Sequence, residues 1–432
     1  MAIDTIGTNA IADDAITAAK IPAGAVVADI ADGGITTAKL ADDAVTNAKV
    51  ADDAVRVENI NAGVGLSHRN LMINGAMEIA QRGGGGYGTP SVTGVGADGS
   101  SGYLIDHYMY AGSGIGSGRY TVSKVTDSPD GFGSSLKLAC TATQSSLGSG
   151  AQQYIQYKWE GQELQRLNYG SSGAKASTLS FYVKGNAAAQ YHVDFYADDN
   201  GQRYGKRFNV TSSWSRVEIP IAGLTTHAID NDHNKSMTLF IWFAAGTDFT
   251  GGTVSEDAWG AYANNARVHS SNTNFFDSTS RTLQVTGFQW EVNTVATDYE
   301  YRRYDDELRS CERYYQAIGQ DFSDTSPQTK FATGYINSST QGYGYMRFPR
   351  MRVKPTVTPP TDQNLDFKTK SGPGAVNASN PFSGILSSED SLSFACTNHA
   401  GNFGQNGDAF YMSWNGVQAV GSTGWMQLDA EL

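Results

Sequence analysis

Aliphatic residues recur every five positions near the start of the chain. They fall at Ile6, Ile11, Ile16, Ile21 and Val26, then at Ile35, Leu40, Val45, Val50, Val55 and Ile60. A helix repeats its apolar face about every 3.6 residues and a strand roughly every 2. The spacing therefore predicts neither one long helix nor one long strand. It belongs to a decapeptide, A-D-D-A-Φ-T-x-A-K-Φ with Φ aliphatic, read at 12–21, 31–40, 41–50 and 51–60. Residues 22–30 form a shortened copy. The Asp-Asp or Asp-Gly pair that opens a unit is turn chemistry. Thr17, Thr36 and Thr46 stand where an N-cap would. Each unit is expected to hold one short helical turn. One aliphatic side chain in five cannot offset an ordering entropy of about 1–2 kcal/mol per residue. Several parallel copies could, by pooling these residues on a common axis. The axis candidates are Ile11, Ile16, Ile21, Val26, Ile35, Leu40, Val45, Val50, Val55 and Ile60. The competing reading is a disordered linker, but such linkers are poor in Ile and Val.

From Leu71 the pattern changes to alternation. Stretches at 119–126, 135–143, 152–160, 177–185, 190–198, 215–223, 236–246 and 282–292 are β-branched and aromatic, with turn residues between them. Asp199-Asn200-Gly201 reads as a hairpin turn. These stretches predict an antiparallel β-sandwich, a jelly roll. Around 294–316, Leu308, Cys311 and Tyr315 share one side at helical spacing, and Asp305 can cap, so a short linking helix is expected. Strand patterns resume at 330–336, 343–349, 391–397, 409–414 and 424–432. The fold class is mainly β: an attachment peptide (1–10), a repeat shaft of short helical turns (11–65), a jelly-roll sandwich (66–300), a linking helix (301–318) and a small C-terminal β-domain (319–432).

Composition sharpens this picture. Charged residues make up 17% of the chain against 49 Gly and 22 Tyr, which suits strands and turns. The net charge of −12 argues against nucleic acid as partner. Cys140, Cys311 and Cys396 have neither disulfide nor metal spacing and read as buried thiols of a protein folded in a cytosol. No apolar run long enough to span a membrane occurs, so no membrane insertion is expected. The start lacks a signal-peptide pattern.

Catalytic patterns are weak. Paired carboxylates for glycan cleavage could come from Asp194, Asp198 and Asp199, or from Asp305, Asp306 and Glu307. Both sets have ordinary roles at a strand end and a helix start. Asp230 to Asn234 opens like a calcium loop but lacks its glycine and closing Glu. It reads as a polar turn, with a structural calcium left open. No cofactor and no catalytic residue is assigned. Glycan recognition needs exposed aromatic faces flanked by amides. The polar run 256–276 supplies Trp259, Tyr262, Asn264 and Asn265. Tyr343, Tyr345 and Trp414 are the equivalents in the last segment. Trp242 and Trp290 lie inside strand patterns and are expected in the core.

Three segments carry a family resemblance: "RNLMINGAMEIAQRG" (69–83), "GFQWEVNTVATDYEYRRYDDELRSCERYYQ" (287–316) and "MQLDAEL" (426–432). With the decapeptide array, they resemble tail fibre proteins of tailed bacteriophages. The resemblance implies a homotrimer assembled in the host cytoplasm, joined to other virion proteins through its N-terminus. It implies carbohydrate-binding-like sandwich domains that meet a host cell-surface glycan. Many such fibres begin with a globular anchor, whereas about ten residues precede the repeat here. A capsid-attached fibre and a glycan depolymerase are the alternatives, the latter disfavoured by the missing β-helix repeat.

If the five-residue rhythm is a seam between copies, replacing Ile35, Leu40 and Val45 with Ser should loosen chain association within the shaft. Sedimentation at high dilution should then show weaker association than the parent. An unchanged association constant would contradict a shared seam.

Overall fold

The computed structural model describes residues 67–83, 91–96, 100–318, 330–359, 365–369, 372–376, 382–397, 406–414 and 426–432. The repeat, and with it every axis candidate from Ile11 to Ile60, lies outside the described residues.

Strands β1 (Ser91–Val95), β2 (Ser101–Ile105), β3 (Tyr108–Ser113), β4 (Arg119–Val125), β5 (Ser135–Ala142), β6 (Gln152–Glu160), β7 (Ser177–Gly185), β8 (Ala189–Ala197), β9 (Gln202–Val210), β10 (Ser215–Ile221), β11 (Lys235–Ala245), β12 (Trp259–Ala261) and β13 (Thr282–Glu291) form two layers. The first sheet runs β1-β4-β5-β13-β7-β10 and the second β12-β9-β8-β11-β6-β3-β2. Pairing is antiparallel throughout, and most connections cross from one layer to the other. Alternation explains the layering: Ile155, Tyr157 and Trp159 of β6 point between the sheets, as do Tyr191, Val193 and Phe195 of β8. At the centre the Trp159 and Trp290 rings meet edge to face at 4.7 Å, with Phe195 5.1 Å from Trp290. Buried indole N–H groups need acceptors. Trp159 donates to the Leu71 carbonyl and Trp290 to Ser177 Oγ.

Trp290 is thus in the inter-sheet core, as expected. Trp242 is also buried, but on the opposite face of β11, in a separate cluster with Phe240, Phe249 and Val268. The three cysteines are all buried free thiols.

Segment 69–80 enters this sandwich without becoming a strand. Its backbone groups are satisfied by two buried asparagines. Asn70 Oδ1 accepts from Met72 N and Trp290 N, while its amide donates to the Phe288 carbonyl. Asn74 Oδ1 accepts from Glu78 N and Ile79 N, and its amide donates to the carbonyls of Ile79 and Asp106. Gly75 lies so close to β13 that a Cβ there would collide with the Phe288 carbonyl.

Helix α1 (Thr247–Thr250) follows β11, and helix α2 (Tyr304–Glu312) follows β13. The second is shorter than the 301–318 expected. Residues Tyr315–Ile318 form β14 instead, paired with β23 (Met426–Asp429), which also pairs with β17 (Thr356–Thr358). Burial of Tyr314 and Tyr315 beside β23 turns the chain out of the helix. Arg303, not Asp305, occupies the N-cap, and its side chain makes no capping bond. A second seven-stranded sheet combines β15 (Lys330–Ser338), β16 (Gln341–Arg347), β18 (Leu365–Thr369), β19 (Gly372–Val376), β20 (Phe382–Ser387), β21 (Ser391–Thr397) and β22 (Ala409–Trp414) in the order β19-β18-β22-β15-β16-β21-β20. Its core is continuous with Met426 and Leu428 of β23.

Buried charges tie these parts together. Arg82 lies 3.0 Å from Glu431, 3.3 Å from Asp429 and 3.9 Å from Asp106. Arg313 makes two 2.7 Å bonds to the buried Glu160, which also accepts from the Tyr314 hydroxyl at 2.5 Å. Glu163 stands beside this pair. Burial and the nearby Glu160 charge push its carboxyl from 4.5 up to about 7.

Two outcomes follow from these contacts. Asn74→Ala leaves several buried backbone groups without partners and should cost about 2–4 kcal/mol in a denaturant titration. A loss below about 1 kcal/mol would contradict the role given to Asn74. A carboxyl whose pKa is raised in the fold holds its proton there longer than in the unfolded chain. Its contribution to stability is complete below about 4.5 and is lost as pH rises towards 7. Glu163→Gln removes that loss. The variant should gain about 1–3 kcal/mol over the parent at pH 8 and much less at pH 5. An equal shift in melting temperature at both pH values would contradict this.

Candidate functional site

Strand β11 reads as a nearly continuous apolar run because both of its faces are covered. One face meets the inter-sheet core. The other is roofed by the chain from Gly246 to Val268, which folds back over the sheet. Alternation places His192, Asp194 and Tyr196 of β8, Arg203 of β9, and Phe240 and Trp242 of β11 on this outer face. The register sets Arg203 opposite Tyr196 and Gly205 opposite Asp194.

Two guanidinium groups converge on one carboxylate here. Arg203 bonds Asp194 directly, and Arg267, from the roof, places Nε 3.5 Å from the same carboxylate oxygen. Both stack on aromatic rings, which offsets part of the cost of burying charge. The Arg203 Cζ is 4.4 Å from the Tyr196 ring centre and 4.8 Å from that of Tyr262. The Arg267 Cζ is 4.6 Å from Trp242 and 4.9 Å from Phe240. Burial lowers the Arg267 pKa and the adjacent Arg203 adds to this, while Asp194 works the other way. Nε of Arg203 is buried and makes no hydrogen bond. Beneath them His192 is fully buried. Burial lowers it to about 4 against the pull of Asp194 and Glu256, so its ring is neutral at pH 7. Gly205 is required beside it: a Cβ there would stand 2.8 Å from His192 Nε2 and 2.9 Å from Val254 in the roof.

The guanidinium pair forms the floor of a cleft of about 90 Å³, walled by small residues of the roof, among them Ser255, Gly260, Ala261 and Ala263. Tyr262 stands at the rim with 46% of its surface exposed. Its hydroxyl donates to Asn264 Oδ1 at 2.9 Å, and the Asn264 amide donates to the Asp248 carbonyl. Asn264 and Asn265 are exposed. Trp259 differs from the expectation of an open platform. It is half-buried, its indole N–H donates to the Ala222 carbonyl, and it packs against Tyr169 and Tyr204.

A second aromatic surface lies on the C-terminal sheet. Tyr343 and Tyr345 of β16 are exposed, and Tyr335 of β15 joins them, its ring 5.7 Å from Tyr343. Trp414 ends β22, and its side chain lies outside the described residues. The carboxylates considered for catalysis are dispersed. Asp194 is covered by two arginines, Asp198 pairs with Lys235 at 2.6 Å, and Asp199 accepts from Asp230 N. Glu307 accepts from Asn74 N beside Arg302, while Asp305 and Asp306 sit exposed on the first turn of α2. Among the described residues, no group of three or more His, Cys, Asp or Glu could hold a metal ion. None of their helices is long and apolar enough to cross a membrane.

Arg203 and Arg267 were not singled out by sequence pattern. The outward series His192, Asp194, Tyr196 on an otherwise apolar strand is the signal that could have pointed to them, since a buried carboxylate needs cations opposite it.

No family model matches the chain. No curated protein matches it. Among solved structures, it is similar to the family 11 carbohydrate-binding module from Clostridium thermocellum in complex with a β-1,3-1,4-mixed-linked tetrasaccharide (15% identity, 48% of this chain and 99% of that one, TM-score 0.24). A CBM4 structure aligns at 13% identity over 40% of this chain and 75% of its own, with TM-score 0.21. The enzymatically active domain of tailspike protein 4 of bacteriophage CBA120 aligns at 10% identity over 44% of this chain, with TM-score 0.25. The chain spans 20% of that tailspike. At these TM-scores none of the likenesses bears on function.

Proposed function

We propose that this chain is a non-catalytic fibre subunit of a tailed bacteriophage that holds host surface glycan on its sandwich. The observation that carries the reading is the roofed cleft, with polar groups converging on its floor and the exposed Tyr262 face at its rim. Pyranose rings present CH faces to aromatic rings and hydroxyls to amides and charged groups, and the rim offers Tyr262, Asn264 and Asn265 for both. The tyrosine row of Tyr335, Tyr343 and Tyr345 would supply a second, flatter contact. The five-residue aliphatic rhythm of the first sixty residues supports a jelly-roll body hung from a three-chain shaft. Threefold presentation would turn weak single contacts into useful avidity. Attachment through the first residues to other virion proteins completes the proposal.

The purified protein should retain host surface polysaccharide without shortening it. Tyr262→Ala should weaken retention about two- to tenfold per site, the worth of one aromatic contact. Shortened polysaccharide would replace this reading with a depolymerase. Failure to retain any host polysaccharide would overturn it.

A further inference from the structure

The floor of the cleft carries an unbalanced charge. Arg203 and Arg267 share one carboxylate, Asp194, and the imidazole beneath them is neutral. The neighbouring cations of β9 are already matched. Arg207 forms a two-bond pair with Glu256 at 2.8 Å, and Lys206 pairs with Asp257. Asp248 of α1 is exposed, bonds Ser149 and does not line the cleft, so one positive charge remains at the floor. Arg203 is 8% exposed, lines the cleft, and has a buried Nε without a hydrogen-bond partner. Stacking on Tyr196, Tyr262, Phe240 and Trp242 holds both guanidinium planes in place. Planar, fixed guanidinium forks match a carboxylate.

We infer that the cleft selects a sugar residue bearing a carboxylate, such as a hexuronic acid, whose negative charge completes the Arg203–Asp194–Arg267 cluster. This rests on the glycan-binding reading above and narrows its ligand class. The sugar ring would lie against Tyr262 at the rim with its carboxylate directed to the floor. The cleft, about 90 Å³, would admit the carboxylate while the ring stays at its mouth. Neutral sugars would leave the surplus charge buried and unanswered, which is unfavourable.

The test is a panel of bacterial acidic polysaccharide fragments containing glucuronate, galacturonate, mannuronate or sialate. Each is paired with its carboxyl-reduced form, in which the acid has become a primary alcohol. The full-length protein should bind at least one acidic member, with its reduced partner at least tenfold weaker. Arg267→Met keeps an apolar side chain in the aromatic cage and should bring the two affinities together. If that variant does not fold, the acidic and reduced pairs on the unaltered protein decide the matter alone. Equal binding of both forms, or binding of neutral forms only, overturns the selection of a carboxylate while glycan binding stands. Binding to a sulfated control in preference to every carboxylate also overturns it. No binding to any glycan, acidic or neutral, overturns both.

Discussion

A buried guanidinium with no carboxylate beside it is among the costliest things a fold can contain, and Arg82 would be such a group without its three acidic partners. Its partners come from distant parts of the chain: Asp106 from the early sandwich, and Asp429 and Glu431 from the end. Burial works against the charge of Arg82, but these carboxylates outweigh it and leave its pKa raised. Burial in turn pushes Glu431 up to about 7, with Arg82 pulling it down. Neither side is at ease alone, so the last strand must sit beside the lead-in segment for either to be buried. The Glu160–Arg313 pair applies the same rule at the other side of α2, joining β6 to the turn that leads into β14. Removing one partner of such a pair typically costs about 3–5 kcal/mol. The position of the C-terminal sheet is therefore fixed by charge as much as by apolar contact.

The same physics shapes the cleft. A sheet strand that is apolar on both faces, as β11 is, needs a cover on each, and the facing first sheet supplies only one. The roof from Gly246 to Val268 is the other. It brings Arg267 into an aromatic cage over β11, and the guanidinium needs Asp194 beneath it. What remains open between roof and sheet is narrow, polar at the floor and aromatic at the rim.

Much of this was legible in the sequence. Alternating stretches located β4 to β8, β10, β11 and β13, because a half-buried strand writes its pattern directly into side-chain type. Strand β9, "QRYGKRFNV", was not recognised because its outward positions carry Arg and Gly and its inward ones are broken by Lys206. The segments that carry the family resemblance looked unrelated along the chain, yet they meet in space. Asn70 and Asn74 of the first bond β13 and Asp106, and Arg302 and Glu307 of the second bond back to Asn70 and Asn74. No periodicity announces such a contact, since an irregular segment satisfied by side chains has no period. Tyr262, Tyr343 and Tyr345 could be picked out as aromatics in polar surroundings. Trp259 could not be told from them, because only the fold reveals that Ala222, Tyr169 and Tyr204 claim its ring and its N–H.

Hydrogen exchange with and without host surface polysaccharide tests the central claim most directly. Ligand in the cleft should slow exchange in the roof around residues 253–267 and in the adjoining β9, with the inter-sheet core unchanged. Protection confined to other surfaces, with the roof exchanging as fast as before, would contradict the placement of glycan on the outer face of the sandwich.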